Sequence, residues 1–431
     1  MNAALRSFET QWRARTADAL QPIREQAMRR FLELGLPSLR DESWRYTDLR
    51  SVAAQSFAPA TCESPVAANS AELSLVDAQQ PAATLTMVNG CPLLNANFPA
   101  IKGISINSIQ ELYKSDSQAL ARFFEIASEA DQRWSLLNTA LFIDGLYLRI
   151  TEPLSSPIVI RHVSTGDGAQ AAHPRIIIDL SGGASAVVIE HHIAQGDSSP
   201  LTNSNAHIAL ASNARLEHYR VFASGAGATH LDALDIHQSQ DSQCRQFTIA
   251  LGGGLVRSSL QARLSQRGAS LDSYSLLVGH QDRHVDCVNI VTHAAPDTRS
   301  SQTARAIAGD VSRVIFNSKV IVDPGANGSD SKQSCRGLLL SPGAEIDTRP
   351  QLEIHADEVK CAHGATTGRL DPDMLFYLLS RGLDRDTAQS LLVFAFLADV
   401  LTGMSVSSAR SAIEGALISQ LPDSQILRKF R

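Results

Sequence analysis

Apolar residues recur every three or four positions at the start of the chain: Leu5, Phe8 and Trp12, then, after Pro22, Ile23, Ala27, Phe31 and Leu34. That spacing places them on one face of each of two predicted helices. Gly35 and Pro37 stop the second, because glycine readily takes the left-handed cap conformation and proline cannot extend the hydrogen-bond ladder. Residues 39–50 then mix charges with Trp44 and Tyr46, a pair expected to anchor the helices to their neighbour. Residues 55–80, rich in Ala, Ser and Pro without a sustained period, read as a loop or weakly ordered linker. A strand is predicted over 84–90, a helical region over 108–128, and a passage from helix or loop to strand over 133–151, with Asp144-Gly145 as a turn.

Between about 157 and 360 the period shortens. Short β-prone runs such as 157–163, 174–180, 214–222 and 313–322 are separated by clusters of Gly, Ser, Asn, Asp and Pro, as expected where strands end at tight corners. In 214–222, Leu216, His218 and Arg220 share one face while Glu217, Tyr219 and Val221 share the other, so at least one face carries polar groups. A sandwich, a barrel and a β-helix all fit such a pattern. Many short strands without long connections, and small residues at the corners, favour the β-helix.

Helical spacing returns near Asp371, which with Pro372 supplies a cap and a first-turn residue for a helix ended by Gly382. Asp384 opens another. Along it Ala388, Leu391, Leu392, Ala395, Phe396 and Val400 form a stripe, and Val393, Phe394, Leu397 and Leu401 cover much of the remaining circumference. A helix apolar nearly all round has to be covered, either by a small C-terminal bundle or by another subunit.

At 431 residues the chain exceeds the usual size of one core, so several packed units or an elongated repeating fold are expected. Hydrophobic residues make up 44% and aromatics only 5%, which suits small side chains in tight layers. A net charge of -6 argues against broad attraction to nucleic acid or anionic lipid. With no run of 18 apolar residues and no apolar leader ahead of a cleavage site, neither secretion nor membrane spanning is expected, and the cytoplasm is the expected location. Six cysteines, scattered without C-x-x-C pairs, are expected to be reduced.

Several chemistries are missing from the sequence. It has no G-x-x-x-x-G-K-[ST] cradle for nucleotide phosphates, no G-x-S-x-G elbow, no H-E-x-x-H and no dinucleotide fingerprint. Gly252-Gly253-Gly254 reads as a β corner. His191 and His192 are neighbours on a strand and point to opposite faces, so they are not expected to share an ion. His218, His284, His293 and His355 read as polar strand or turn residues, and Cys244 and Cys287 as small buried hydrophobes. Cys361 and His363 differ: two positions apart on an extended segment, they point the same way, and thiolate with imidazole suits zinc, iron or iron–sulfur chemistry. Two ligands hold a metal poorly, so the pair is either half of a site shared across an interface or simply a turn.

Residues 334–396, which include Cys361, His363 and the helical stretch, resemble the SufB/SufD family of iron–sulfur cluster assembly proteins, as do residues 35–49 and 137–150. The motif reads His363-Gly364-Ala365-Thr366-Thr367-Gly368, where the SufB branch would read His-Glu-Ala-Thr-Thr-Ser-Lys, so the resemblance is to the SufD branch. It implies a mainly β fold with helical ends. The expected units are an N-terminal helical region (1–55), a linker and mixed α/β lead-in (56–150), a right-handed parallel β-helix (151–368) and a C-terminal helical domain (369–431).

The resemblance also implies a scaffold that is not an enzyme. It would pair with SufB through the β-helices and bind SufC, the ATPase of the complex, through the C-terminal helices. Phe376, Leu391, Leu392, Phe394, Phe396 and Leu397 are the candidate docking residues. Iron or a transient iron–sulfur cluster would sit at the partner interface, with sulfur arriving through SufB and this chain tied to iron acquisition. His363 occupies the position of the family histidine that faces a SufB cysteine there, and Cys361 is the adjacent thiol. No nucleotide site is implied in this chain. Flavin binding and cluster type do not follow from these residues, and a homodimer stays open to the isolated chain. Two other classes remain: a purely structural interaction protein, in which 359–368 is a corner, and a stand-alone metal-dependent enzyme built on a β-helix.

Overall fold

The computed structural model describes residues 2–62, 81–94, 101–124, 131–165, 168–194 and 199–420. Most of the predicted linker, the end of the 108–128 helical region and the last eleven residues lie outside the described residues. The chain winds into a β-solenoid whose strands alternate between an 11-stranded and a 10-stranded sheet. Within each sheet, strands one coil apart lie parallel in unbroken register, as Leu201–Leu210 does on Thr229–Gln238 and Ser270–Gly279 on Arg299–Ala308. This is the β-helix, and the sandwich and barrel fall away. Both sheets begin before residue 151, with Ala83–Val88 pairing Ile158–Ser164 and Leu146–Ile150 pairing Arg175–Leu180.

The chain can turn between sheets so often because the corners hold residues that tolerate the left-handed region. Asn213, Asp241, Asp297 and Asp310 all have positive φ. At Gly252 a Cβ would stand 2.3 Å from the carbonyl oxygen of Ser224, so the triple glycine is the corner its sequence predicts.

Inside the solenoid, the inward-facing positions fall into three zones. One margin is apolar, built by Leu216, Cys244 and Leu271 against Leu234, Leu260 and Ala262. The other margin is apolar too, with Phe222, Ala250 and Leu277 against Val256, Val285 and Phe316. Between them runs a polar column in register from coil to coil: His218, Gln246, Ser273, Gln302 and Gln333, all buried. The polar face read in 214–222 is therefore the interior one. Its apolar counterpart, with Tyr219 and Val221, faces outward and is covered by the C-terminal helices.

At the N-terminal end, helices Ala3–Arg13 and Gln21–Leu34 pack Phe8, Ala27, Met28 and Phe31 with Leu137, Leu201 and Leu231, on the outer face of the larger sheet. Gly35 ends the second helix with φ +67°. Trp44 is the anchor its sequence suggests. The Arg257 guanidinium lies 3.8 Å from its ring centre and donates to the Ser43 carbonyl at 2.7 Å, while Thr47 donates to Asp286.

Three helices follow the solenoid: Pro372–Ser380, Arg385–Leu401 and Ser407–Ser419. Asp371 and Asp384 cap the first two by accepting backbone N–H bonds from Asp373 and Thr387. The long helix lays Val393, Leu397, Val400 and Leu401 against Tyr219, Phe247, Leu276 and Ile307. Arg305 on the sheet pairs with Asp399. Within this chain the sheet takes only one face of the helix and Leu391, Leu392, Phe394 and Phe396 remain half-buried, so the small bundle does not cover it all round. A correction concerns the cysteines: Cys62 and Cys91 form a disulfide, while Cys244, Cys287, Cys335 and Cys361 are free. Among the described residues no helix is long and apolar enough to cross a membrane.

Candidate functional site

The last coil consists of strands Glu345–Ile354 and Lys360–Gly368, and each terminates its sheet. Cys361 pairs in register with Ser331, and His363 with Gln333. Both inner partners are buried and face the interior, so Cys361 and His363 share that inward face, as their spacing predicts. Among the described residues no coil lies over them. His363 is consequently exposed and Cys361 half-buried, on a strand whose outer edge has no partner among the described residues. Burial raises the Cys361 thiol above its ordinary range, against the opposing effect of a backbone hydrogen bond with Ser331. Neither residue belongs to a group of three or more converging metal-ligand side chains among the described residues.

Such a group exists deeper in the solenoid, where His162, Glu190 and His192 bring one ligand atom each within 4.8 Å of one another. His162 lies on Ile158–Ser164, and the other two lie on Ser185–Ala194, one coil on. His162 Nε2 is 2.9 Å from Glu190 Oε2, and His218 Nε2 is 2.8 Å from Oε1 of the same carboxylate. Burial by itself would raise Glu190, but hydrogen bonds from His162 and His218 and the nearby Arg220 charge outweigh it and hold the carboxyl well below its usual range. Burial beside His162 holds His192 well below the ordinary imidazole range.

Alternation along Ser185–Ala194 sends His191 and His192 to opposite faces, so the two do not share an ion. His191 does face away from the cluster, but His192 meets His162 and Glu190. The missed signal was Glu190-x-His192, an i, i+2 pair like Cys361 and His363, together with a histidine one coil earlier. His218 also turns out to belong to a cluster. His284 lies 2.9 Å from the Thr47 hydroxyl, His293 lies between Thr298 and Ser300 hydroxyls, and His355 pairs with Glu353 at the surface. Burial raises the thiols of Cys244 and Cys287, the latter to about 12, as befits small hydrophobes.

Of the proposed docking residues, Phe376 is 71% exposed beside exposed Met374 and Tyr377, whereas Leu397 is fully buried against the sheet and offers no surface. Leu391, Leu392 and Phe394 lie half-buried on the long helix, and Phe396, also half-buried, packs toward the sheet with the Arg305 guanidinium 5.9 Å from its ring centre.

Comparison with known proteins bears on the whole chain. Residues 162–396 match the family described as SUF system FeS cluster assembly, SufBD core domain, and residues 5–158 match the SufBD protein N-terminal region. The chain belongs to the SufBD family. The SufBD core match runs from the first coil containing His162 through His363 to Phe396. Among relatives, the iron–sulfur cluster assembly protein SufD of Escherichia coli is 28% identical over 93% of this chain and 93% of its own length. A SufBD family protein of Synechocystis is 28% identical over 88% of this chain and 86% of its own. A SufD of Plasmodium falciparum is 22% identical over 56% of this chain and 17% of its own. The SufBD assignment places this protein in iron–sulfur cluster assembly, a process shared with partner proteins.

Proposed function

We propose that this chain is a scaffold subunit of the Suf assembly machinery, without ATPase activity of its own, that pairs with SufB through the open end of the solenoid. The supporting observation is the uncapped last coil. Among the described residues two sheets end there on unpaired edges, and an unpaired edge is a ready template for another chain. His363 and Cys361 stand on that coil on the inward face, at the open end of the interior, so the partner that covers the edge also meets one imidazole and one thiol. Iron or a nascent cluster is the cargo held there, with the partner completing the ligand set. On binding, the metal would lower the Cys361 thiol from its raised position to thiolate.

The C-terminal helices are the proposed seat of the ATPase SufC. Phe376, Met374 and Tyr377 form an exposed apolar patch on Pro372–Ser380, and the half-buried Leu391, Leu392, Phe394 and Phe396 follow on the next helix. The test is co-expression with SufB and SufC, followed by size exclusion and by iron and sulfide analysis of wild-type, His363→Ala and Cys361→Ser complexes. An intact complex with reduced iron in His363→Ala supports the shared site. Normal iron in that intact complex removes His363 from it.

A further inference from the structure

We propose that His162, Glu190 and His192 form a divalent transition-metal site inside the solenoid, separate from the open end. The geometry is built by the β register. His162 and His192 are direct partners on adjacent parallel strands, and their rings stack 4.1 Å apart at 3°. Glu190, two residues before His192, projects from the same face and brings Oε2 to 2.9 Å from His162 Nε2 and 3.8 Å from His192 Nε2. Ligands bonded at roughly 2.0–2.2 Å to one ion lie about 3 Å apart when adjacent, so the cluster closes on a cation once the two imidazoles turn out of their parallel stack and aim both Nε2 lone pairs at it. Strands on both sides fix it, and the side chains are 5%, 1% and 1% exposed.

A second observation points to a ligand. Neither ring nitrogen of His192 has a hydrogen-bond partner among the described residues, and His162 Nδ1 has none either. A buried imidazole without partners forfeits hydrogen bonds it had in water, which disfavours leaving the position empty. A cation at Nε2 of each ring gives the unpartnered His192 Nε2 a partner and replaces the hydrogen bond between His162 Nε2 and Glu190, while Nδ1 of each ring keeps no partner among the described residues. His162 then moves its proton from Nε2 to Nδ1, a change of tautomer that releases no net proton. Glu190 Oε1 keeps its hydrogen bond from His218, which orients the carboxylate from behind, and the charge of Arg220 is met by Asp232. Two imidazoles and one carboxylate suit Fe2+, Co2+ or Zn2+, in contrast to the oxygen-only shells of Ca2+ and Mg2+.

The site is tested on the full chain, stripped with chelator and titrated with Co2+, reading d–d absorption and metal retained after desalting. The background carries Cys361→Ser and His363→Ala, which removes the open-end pair and keeps this inference distinct from the proposed function. One Co2+ per chain is expected, displaced by Zn2+. Glu190→Gln should weaken it by about 100-fold or more, and so should His192→Phe, which keeps the ring stack between His162 and Phe222. The wild-type interior decides the question even if a variant does not fold: a background chain that retains no Co2+ overturns the site. Unchanged Co2+ affinity in a folded Glu190→Gln or His192→Phe chain overturns it equally.

Discussion

His363 and Gln333 are register partners on adjacent coils, facing the same interior, yet Gln333 is 4% exposed and His363 is open to solvent. One further coil makes the difference. The polar column inside the solenoid therefore ends in a histidine where the stack ends, and whatever covers the last coil will meet that histidine first.

From this position, His363→Ala should leave the isolated chain's stability within about 0.5 kcal/mol, since an exposed side chain without buried contacts contributes little. Iron retention in the assembled complex should fall, and Cys361→Ser should fall less. Thermal unfolding of the chain, with iron analysis of the complex, separates the two effects.

Leu397 and Phe376 lie on successive helices and should behave oppositely. Leu397→Ala empties a fully buried position against Phe247 and Leu276 and should destabilise the chain by about 2–5 kcal/mol. Phe376→Ala should change stability little while weakening SufC capture, because the ring is 71% exposed. Denaturant melts and a pull-down with purified SufC read the pair. Equal capture by wild type and Phe376→Ala would move the docking surface elsewhere.

Gln302 is fully buried in the polar column, and neither end of its amide has a hydrogen-bond partner among the described residues. Gln302→Leu should stabilise the chain by about 1–3 kcal/mol, because it removes a desolvated amide and adds apolar volume between two apolar margins. A lower midpoint in urea would show that the column's polarity supports the fold.

Burial holds the His293 imidazole down at about 4, despite Asp330, which acts in the opposite sense. The ring is packed between Thr298 and Ser300. Since the unfolded chain takes up this proton near pH 6.5, the neutral ring stabilises the fold fully above that pH. The contribution is lost as pH falls from about 6.5 through 4, on the order of 3 kcal/mol for this residue. His293→Gln should flatten the stability profile over that window in denaturant melts taken at several pH values. An unchanged slope would assign the acid sensitivity to other buried histidines, such as His230.

Local chemistry made much of this legible in advance. Gly35 as a stop, Asp371 and Asp384 as caps, the triple glycine as a corner and the shared face of Cys361 and His363 each depend on φ, on one hydrogen bond or on a period of two. Short-range rules of this kind are written in a few consecutive residues. The family resemblance supplied the β-helix, which periodicity could only favour.

What the sequence could not show is which coil lies over which. His162 and His192 stand a whole coil apart, as do Gln302 and Gln333, so alternation tells which residues share a face but not who stacks on whom. Alternation also misleads about polarity here. In Leu201–Leu210 every residue is buried, because the strand is covered by coils on one face and by the N-terminal helices on the other. Likewise the polar face of Arg215–Phe222 turned inward, toward Glu190 and Asp232, and the apolar face outward under the C-terminal helices. The sequence by itself determined the elements, their ends and the faces they present. Only the tertiary register, closed by contacts between residues a whole coil apart, decided that His192 meets His162 and Glu190 and that His363 is left uncovered at the end of the stack.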